Sequence, residues 1–200
     1  SGSWAQLGFT IDGEANSDQS GFSVSLSGAG SRVAIGARFN DGTGNNSGHV
    51  RIYEYRVYTS DDQSADTYHY TSREQGTTNT KPLIITENTS TAPVVGTSYW
   101  TQVGTDIDGE ASGDQSGYSV SLSSDGSIVA IGAYANDGTG TTAGHARIYQ
   151  YSSGSWTQLG HDIDGELQYD QSGWSVSLSS DGSRVAIGAV SYTHLTLPTT

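Results

Sequence analysis

The sequence has no cysteine, which excludes disulfide staples and thiol chemistry. It is short of positive charge: 8 Lys and Arg stand against 21 Asp and Glu, a formal net charge of -13 at pH 7. A nucleic-acid binder needs a basic footprint to meet phosphates, and an anionic membrane surface selects the same residues. Neither is expected as a partner. Apolar residues make up 33% of the chain, and no run approaches the roughly 18–20 that cross a bilayer, so no membrane insertion is expected. A Ser-His-Asp set, a nucleophile elbow, a P-loop and a paired-His metal motif are all missing, and a non-enzymatic protein is expected. What remains is 27 Gly, 12 Tyr and 4 Trp among short apolar runs. That is too aromatic for a disordered chain and points to strands and turns.

An internal repeat organises those strands. "DGEANSDQSGFSVSLSGAGSRVAIGA" at 12–37 returns as "DGEASGDQSGYSVSLSSDGSIVAIGA" at 108–133 and as "DGELQYDQSGWSVSLSSDGSRVAIGA" at 164–189. In the middle copy "YSVSLSS" alternates Val120 and Leu122 with serines, a strand of period two. Asp125-Gly126 makes a tight turn, "SIVAIGA" a second strand, "HARIYQY" a third and "SWTQLG" a fourth. Four antiparallel strands in about 50 residues make a propeller blade. The faces agree. Val129, Ile131 and Ala133 share one side of the second strand, with Ala130 and Gly132 on the other. A bare face lets the bulky face of a neighbouring sheet approach closely. The expected fold is all-β: a fragment of a β-propeller with four-stranded antiparallel blades, about two complete and others partial.

The phrases "SGFSVSLS", "SGYSVSLS" and "SGWSVSLS", with "VAIGA" and "GHVRIYEY" or "GHARIYQY", resemble the FG-GAP repeat of integrin-α-type propellers. The aromatic here follows the glycine, reversing the usual order. The resemblance covers about three quarters of the chain. It implies a recognition or cell-adhesion module, extracellular or at the cell surface, that takes a protein or carbohydrate ligand at a propeller rim. "SSDGSRVAIGA" is also similar to a WD40 blade, and a WD40-like intracellular scaffold is one alternative. Against it stand a longer period and the lack of a Trp-Asp pair closing the third strand. Another is the propeller part of a secreted enzyme whose active site lies outside this sequence.

The repeats set expected boundaries. The propeller fragment is 1–189, with blade units at about 21–104, 117–160 and a truncated 173–189. The first unit carries an insertion, 56–97, polar but for apolar runs at 83–85 and 94–95. A loop of that length is commonly functional or disordered. The third copy breaks off after Ala189, and "VSYTHLTLPT" resembles the translation of a sequencing-library adapter. Residues 190–200 are therefore expected to be non-native. The chain opens on "SGSWAQLG" without methionine and is expected to be a piece of a longer protein.

Candidate ligands lie in the acidic phrase between units: Asp106, Asp108, Glu110 and Asp114, then Asp162, Asp164, Glu166 and Asp170. Alternate acids beside a glycine turn supply the oxygens that Ca²⁺ takes, about 6–8 at 2.3–2.6 Å, so calcium is the cofactor they suggest. Turn chemistry accounts for the same residue types and is the preferred reading. The FG-GAP resemblance implies a calcium loop between strands one and two. Here that loop is only "SGAGS" or "SSDGS", too poor in carboxylates, and little calcium dependence is expected. Asp41 and Asp137, in Asn-Asp-Gly turns, are further candidates. His49 and His145 open the third strands and are read as structural hydrogen-bonding groups. Asn45 and Asn88 begin glycosylation sequons.

Overall fold

The computed structural model describes residues 2–57, 59 and 96–190. Most of the 56–97 insertion, with its apolar runs and Asn88, lies outside them, as does the tail beyond Val190. The chain divides into two compact units. The smaller, Ser1–Phe9 with Arg56–Tyr99, is described only at its ends. The larger, Thr10–Tyr55 with Trp100–Thr200, holds the repeats.

Among the described residues every regular element is a strand. The first blade runs β1 (Ser23–Leu26), β2 (Arg32–Ala37), β3 (His49–Val57) and β4 (Ser98–Gln102), neighbours in that order. After β5 (Ile107–Asp108) comes the second blade: β6 (Ser119–Leu122), β7 (Ile128–Ala133), β8 (His145–Ser152) and β9 (Ser155–Gln158). Then come β10 (Ile163–Asp164) and a hairpin of β11 (Ser175–Leu178) and β12 (Val185–Gly188). All named strand pairs are antiparallel, and the register repeats from copy to copy: Ser23 faces Gly36, Ser119 faces Gly132 and Ser175 faces Gly188. These are the four-stranded blades of a β-propeller. β8 and β9 are joined through Ser153 and Gly154, both at positive φ (52° and 88°), as a two-residue hairpin with a primed turn requires.

The two faces of each blade differ, and successive blades interlock through the difference. Ala34, Val50 and Ile52 of the first blade form one buried cluster with Leu122, Val129, Ile131 and Tyr149 of the second. Burying an aliphatic side chain of this size contributes about 1.5–3 kcal/mol. The approach is close because the facing side chains are small: a methyl group on Gly36 would strike the Gly117 carbonyl, and one on Gly132 the Gly173 carbonyl. The serines of the "SVSL" strands face the next blade too. Ser23 Oγ donates to the Gly117 carbonyl at 2.7 Å and Ser119 Oγ to that of Gly173 at 2.8 Å. Ser25 Oγ accepts the Leu122 amide, and Ser121 Oγ the Leu178 amide, each at 2.9 Å. An amide left free on an edge strand is thus satisfied by the preceding blade.

β5 and β10 lie inside the acidic phrase, which the sequence reading treats as a turn. Each pairs with the start of a third strand, setting Asp108 opposite His49 and Asp164 opposite His145. Two residues leave no periodic signature, yet this pairing builds the site described next.

Candidate functional site

His49 and His145 each begin the third strand of a blade, between β2 or β7 on one side and β5 or β10 on the other. Both are about 1% exposed. Acidic side chains from the segments flanking the blade converge on each imidazole. His49 Nδ1 lies 3.8 Å from Glu14 Oε2 and 3.7 Å from Asp106 Oδ2. His145 Nδ1 lies 3.9 Å from Glu110 Oε2, 3.5 Å from Asp162 Oδ2 and 4.0 Å from Asp164 Oδ1. In each cluster the histidine nitrogen and two carboxylate oxygens sit within 4.8 Å of one another.

An arginine two residues along each strand shares the histidine's face. Arg51 holds the Asp12 carbonyl at 2.8 Å and Arg147 that of Asp108 at 2.7 Å. Their second terminal nitrogens lie 3.6 Å from Glu14 and 3.5 Å from Glu110. Each arginine thereby fixes the acidic phrase over its blade.

Burial pushes both histidines below their ordinary value and outweighs the pull of the carboxylates, Asp106 and Glu14 at His49, Asp162 and Glu110 at His145; the arginines push the same way. The imidazole nitrogen–oxygen separations, 3.5–4.0 Å, exceed hydrogen-bond length. His145 Nδ1 is buried without a hydrogen-bond partner. Burial also pushes the Asp108 carboxyl up, with Asp106 adding to the effect.

The structure thus splits the acidic phrase between neighbouring centres. Asp106 and Asp108 go to His49; Glu110, Asp162 and Asp164 go to His145. Asp114 and Asp170 join neither. Asp114 Oδ2 accepts the Ala111 amide at 3.0 Å and the Asn136 side chain at 3.0 Å, and Asp170 Oδ2 accepts the Leu167 amide at 2.7 Å. Glu166 is exposed and meets no histidine among the described residues. The Asn-Asp-Gly turns occupy their own acids: Asp41 accepts the Asn46 amide and Asp137 the Thr142 amide, each at 2.7 Å. The sequence reads His49 and His145 as structural hydrogen-bonding groups, with no second histidine at ligand spacing; the carboxylates that meet them are distant in the chain. One signal was available: "H-x-R-x-Y" recurs in both third strands, with all three side chains on one face.

The loop between the first two strands of a blade does not fit calcium. Its one carboxylate, Asp125, takes Ser123 Oγ at 2.6 Å, the Ser127 amide at 3.0 Å and Ser127 Oγ at 2.7 Å. No other acid stands in that loop.

A second feature lies at the same end of the blades. The aromatic residues that follow glycine in the three repeats stack on one another. Phe22 and Tyr118 are 5.0 Å apart at their ring centres, Tyr118 and Trp174 4.8 Å. Tyr134 wedges against Tyr118 and Trp174, at 4.4 Å and 5.0 Å. The Arg38 guanidinium lies 3.9 Å over Phe22. Phe22 is 43% and Trp174 38% exposed, so both ends of the row are partly open to solvent.

A family model for the FG-GAP repeat matches residues 100–149. That span holds β5, β6 and β7 and most of β8. No curated protein matches the chain.

Proposed function

We propose that this chain, an FG-GAP repeat protein over 100–149, is a non-enzymatic recognition module of the cell surface or extracellular space. It binds a protein or carbohydrate ligand at the rim where its repeats align their aromatic residues. The observation that supports this most is the run Phe22–Tyr118–Trp174 across three successive repeats, half-open to solvent and flanked by Arg38. Exposed aromatic platforms offer large contact area at small entropic cost. They also stack on the apolar faces of sugar rings. The net charge of -13 favours solubility and disfavours nucleic-acid ligands.

The test is retention of the chain on arrayed oligosaccharides and matrix proteins, with Trp174→Ala and Phe22→Ala alongside. The expected result is saturable retention that falls at least tenfold in both variants while their circular dichroism is unchanged. Retention that survives both substitutions moves the interface elsewhere. Turnover of a retained saccharide would replace this reading with the enzyme alternative.

A further inference from the structure

We infer that the Glu110–His145–Asp162 cluster, and its repeat Glu14–His49–Asp106, are binding sites for a divalent transition-metal ion of the Zn²⁺ type, one per complete blade. This is independent of what the aromatic rim binds. His145 Nδ1 is buried, has no hydrogen-bond partner, and lies within 4.0 Å of three carboxylates. Leaving a buried polar atom unsatisfied carries a penalty that a native site rarely accepts without cause. A ligand atom is the cause that fits. Donors about 2.0–2.1 Å from a tetrahedral ion stand about 3.3 Å apart. The Asp162 and Glu110 oxygens, at 3.5 Å and 3.9 Å from Nδ1, need only small rotations to reach that spacing. Asp162 Oδ1 accepts the Gln158 side chain at 2.6 Å, with Oδ2 toward the imidazole, and the side chains of Asp162 and Glu110 are 27% and 46% exposed, which gives an ion a way in.

Charge points the same way. Three carboxylates, Glu110, Asp162 and Asp164, surround the imidazole, and the one guanidinium that meets them there is that of Arg147, so a divalent ion offsets an excess of acidic groups. Ligand type then selects the ion. Ca²⁺ and Mg²⁺ take oxygen, while an imidazole nitrogen beside carboxylates suits first-row transition ions. Three protein donors leave at least one position for water.

The experiment is calorimetric titration of the metal-stripped chain with Zn²⁺, repeated with Ca²⁺, and absorption spectroscopy with Co²⁺ as the reporting ion. We expect about two Zn²⁺ per chain, little heat from Ca²⁺, and Co²⁺ bands of low-coordinate nitrogen–oxygen ligation. Asp162→Asn and Glu110→Gln keep the size of each side chain and remove its charge, and circular dichroism of each variant checks the fold. Each should remove one of the two sites, as should His145→Gln. Unaltered Zn²⁺ stoichiometry in Asp162→Asn and His145→Gln together would assign the binding to other surface residues and overturn the proposal. So would the absence of saturable Zn²⁺ binding.

Discussion

Asp125 and Asp181 fix the same turn in two repeats by the same three bonds. Each carboxylate takes a serine hydroxyl two residues before it and both the amide and hydroxyl of a serine two residues after. Those bonds favour the charged form and hold both groups down at about 2. A folded value below the unfolded one gives stability that is complete above pH 4 and is lost as pH falls toward 2. The side chains are solvent-exposed, so screening keeps the effect small. Carboxyl titration by NMR should place both midpoints near 2, with urea stability declining only below pH 4; midpoints near 4 would show that the turn bonds do not persist in solution. These two acids were legible, since Asp-Gly after a strand signals a tight turn. The acids at His145 were not. Asp162 and Asp114 are both aspartates of the same phrase, and only the fold decides that one faces an imidazole while the other caps a backbone amide.

At the scale of the strand, period-two alternation predicted which residues share a face, and the blades use both faces as expected. The serines carry more than their size suggested, because hydroxyls set against a neighbouring edge strand supply its missing partners. Ser121→Ala strands the Leu178 amide, at a cost of about 1–3 kcal/mol, and should speed hydrogen exchange at Leu178 above all other sites. Unchanged exchange there would refute the bond. Glycine marks the other constraint. A Cβ on Gly132 meets the Gly173 carbonyl, which cannot rotate away, whereas one on Gly154 meets open space in a turn at φ +88°. Gly132→Ala should cost about 2–3 kcal/mol by overpacking and Gly154→Ala about 1 kcal/mol by backbone strain alone. Urea denaturation of the two variants checks the order, and the reverse order would contradict blade packing through Gly132. β5 and β10 escaped the sequence because a two-residue ladder is set by tertiary position rather than by local pattern.

Across the whole molecule, the complementary faces of the repeats predict how copies of the chain meet. Val120 and Leu122 of β6 pack toward the first blade, and Leu122 is 7% exposed. Their equivalents in β1, Val24 and Leu26, are 64% and 59% exposed. The opposite kind of face is also open in the hairpin of β11 and β12, where Ser175, Ser177 and Ala186 are exposed. A bulky face and a bare face that interlock within the chain can interlock between chains. The contact is heterologous, and such contacts propagate unless the geometry closes. Purified chain should therefore associate in a concentration-dependent way in sedimentation velocity experiments. Leu26→Glu removes the bulky face and Ala186→Lys the bare one, so each variant alone should run as a monomer. Mixed, they should form a one-to-one complex and nothing larger, because each retains the face the other lacks. Association of either variant by itself would place the contact elsewhere, and a monomeric parent chain at all concentrations would show that these faces do not engage between molecules.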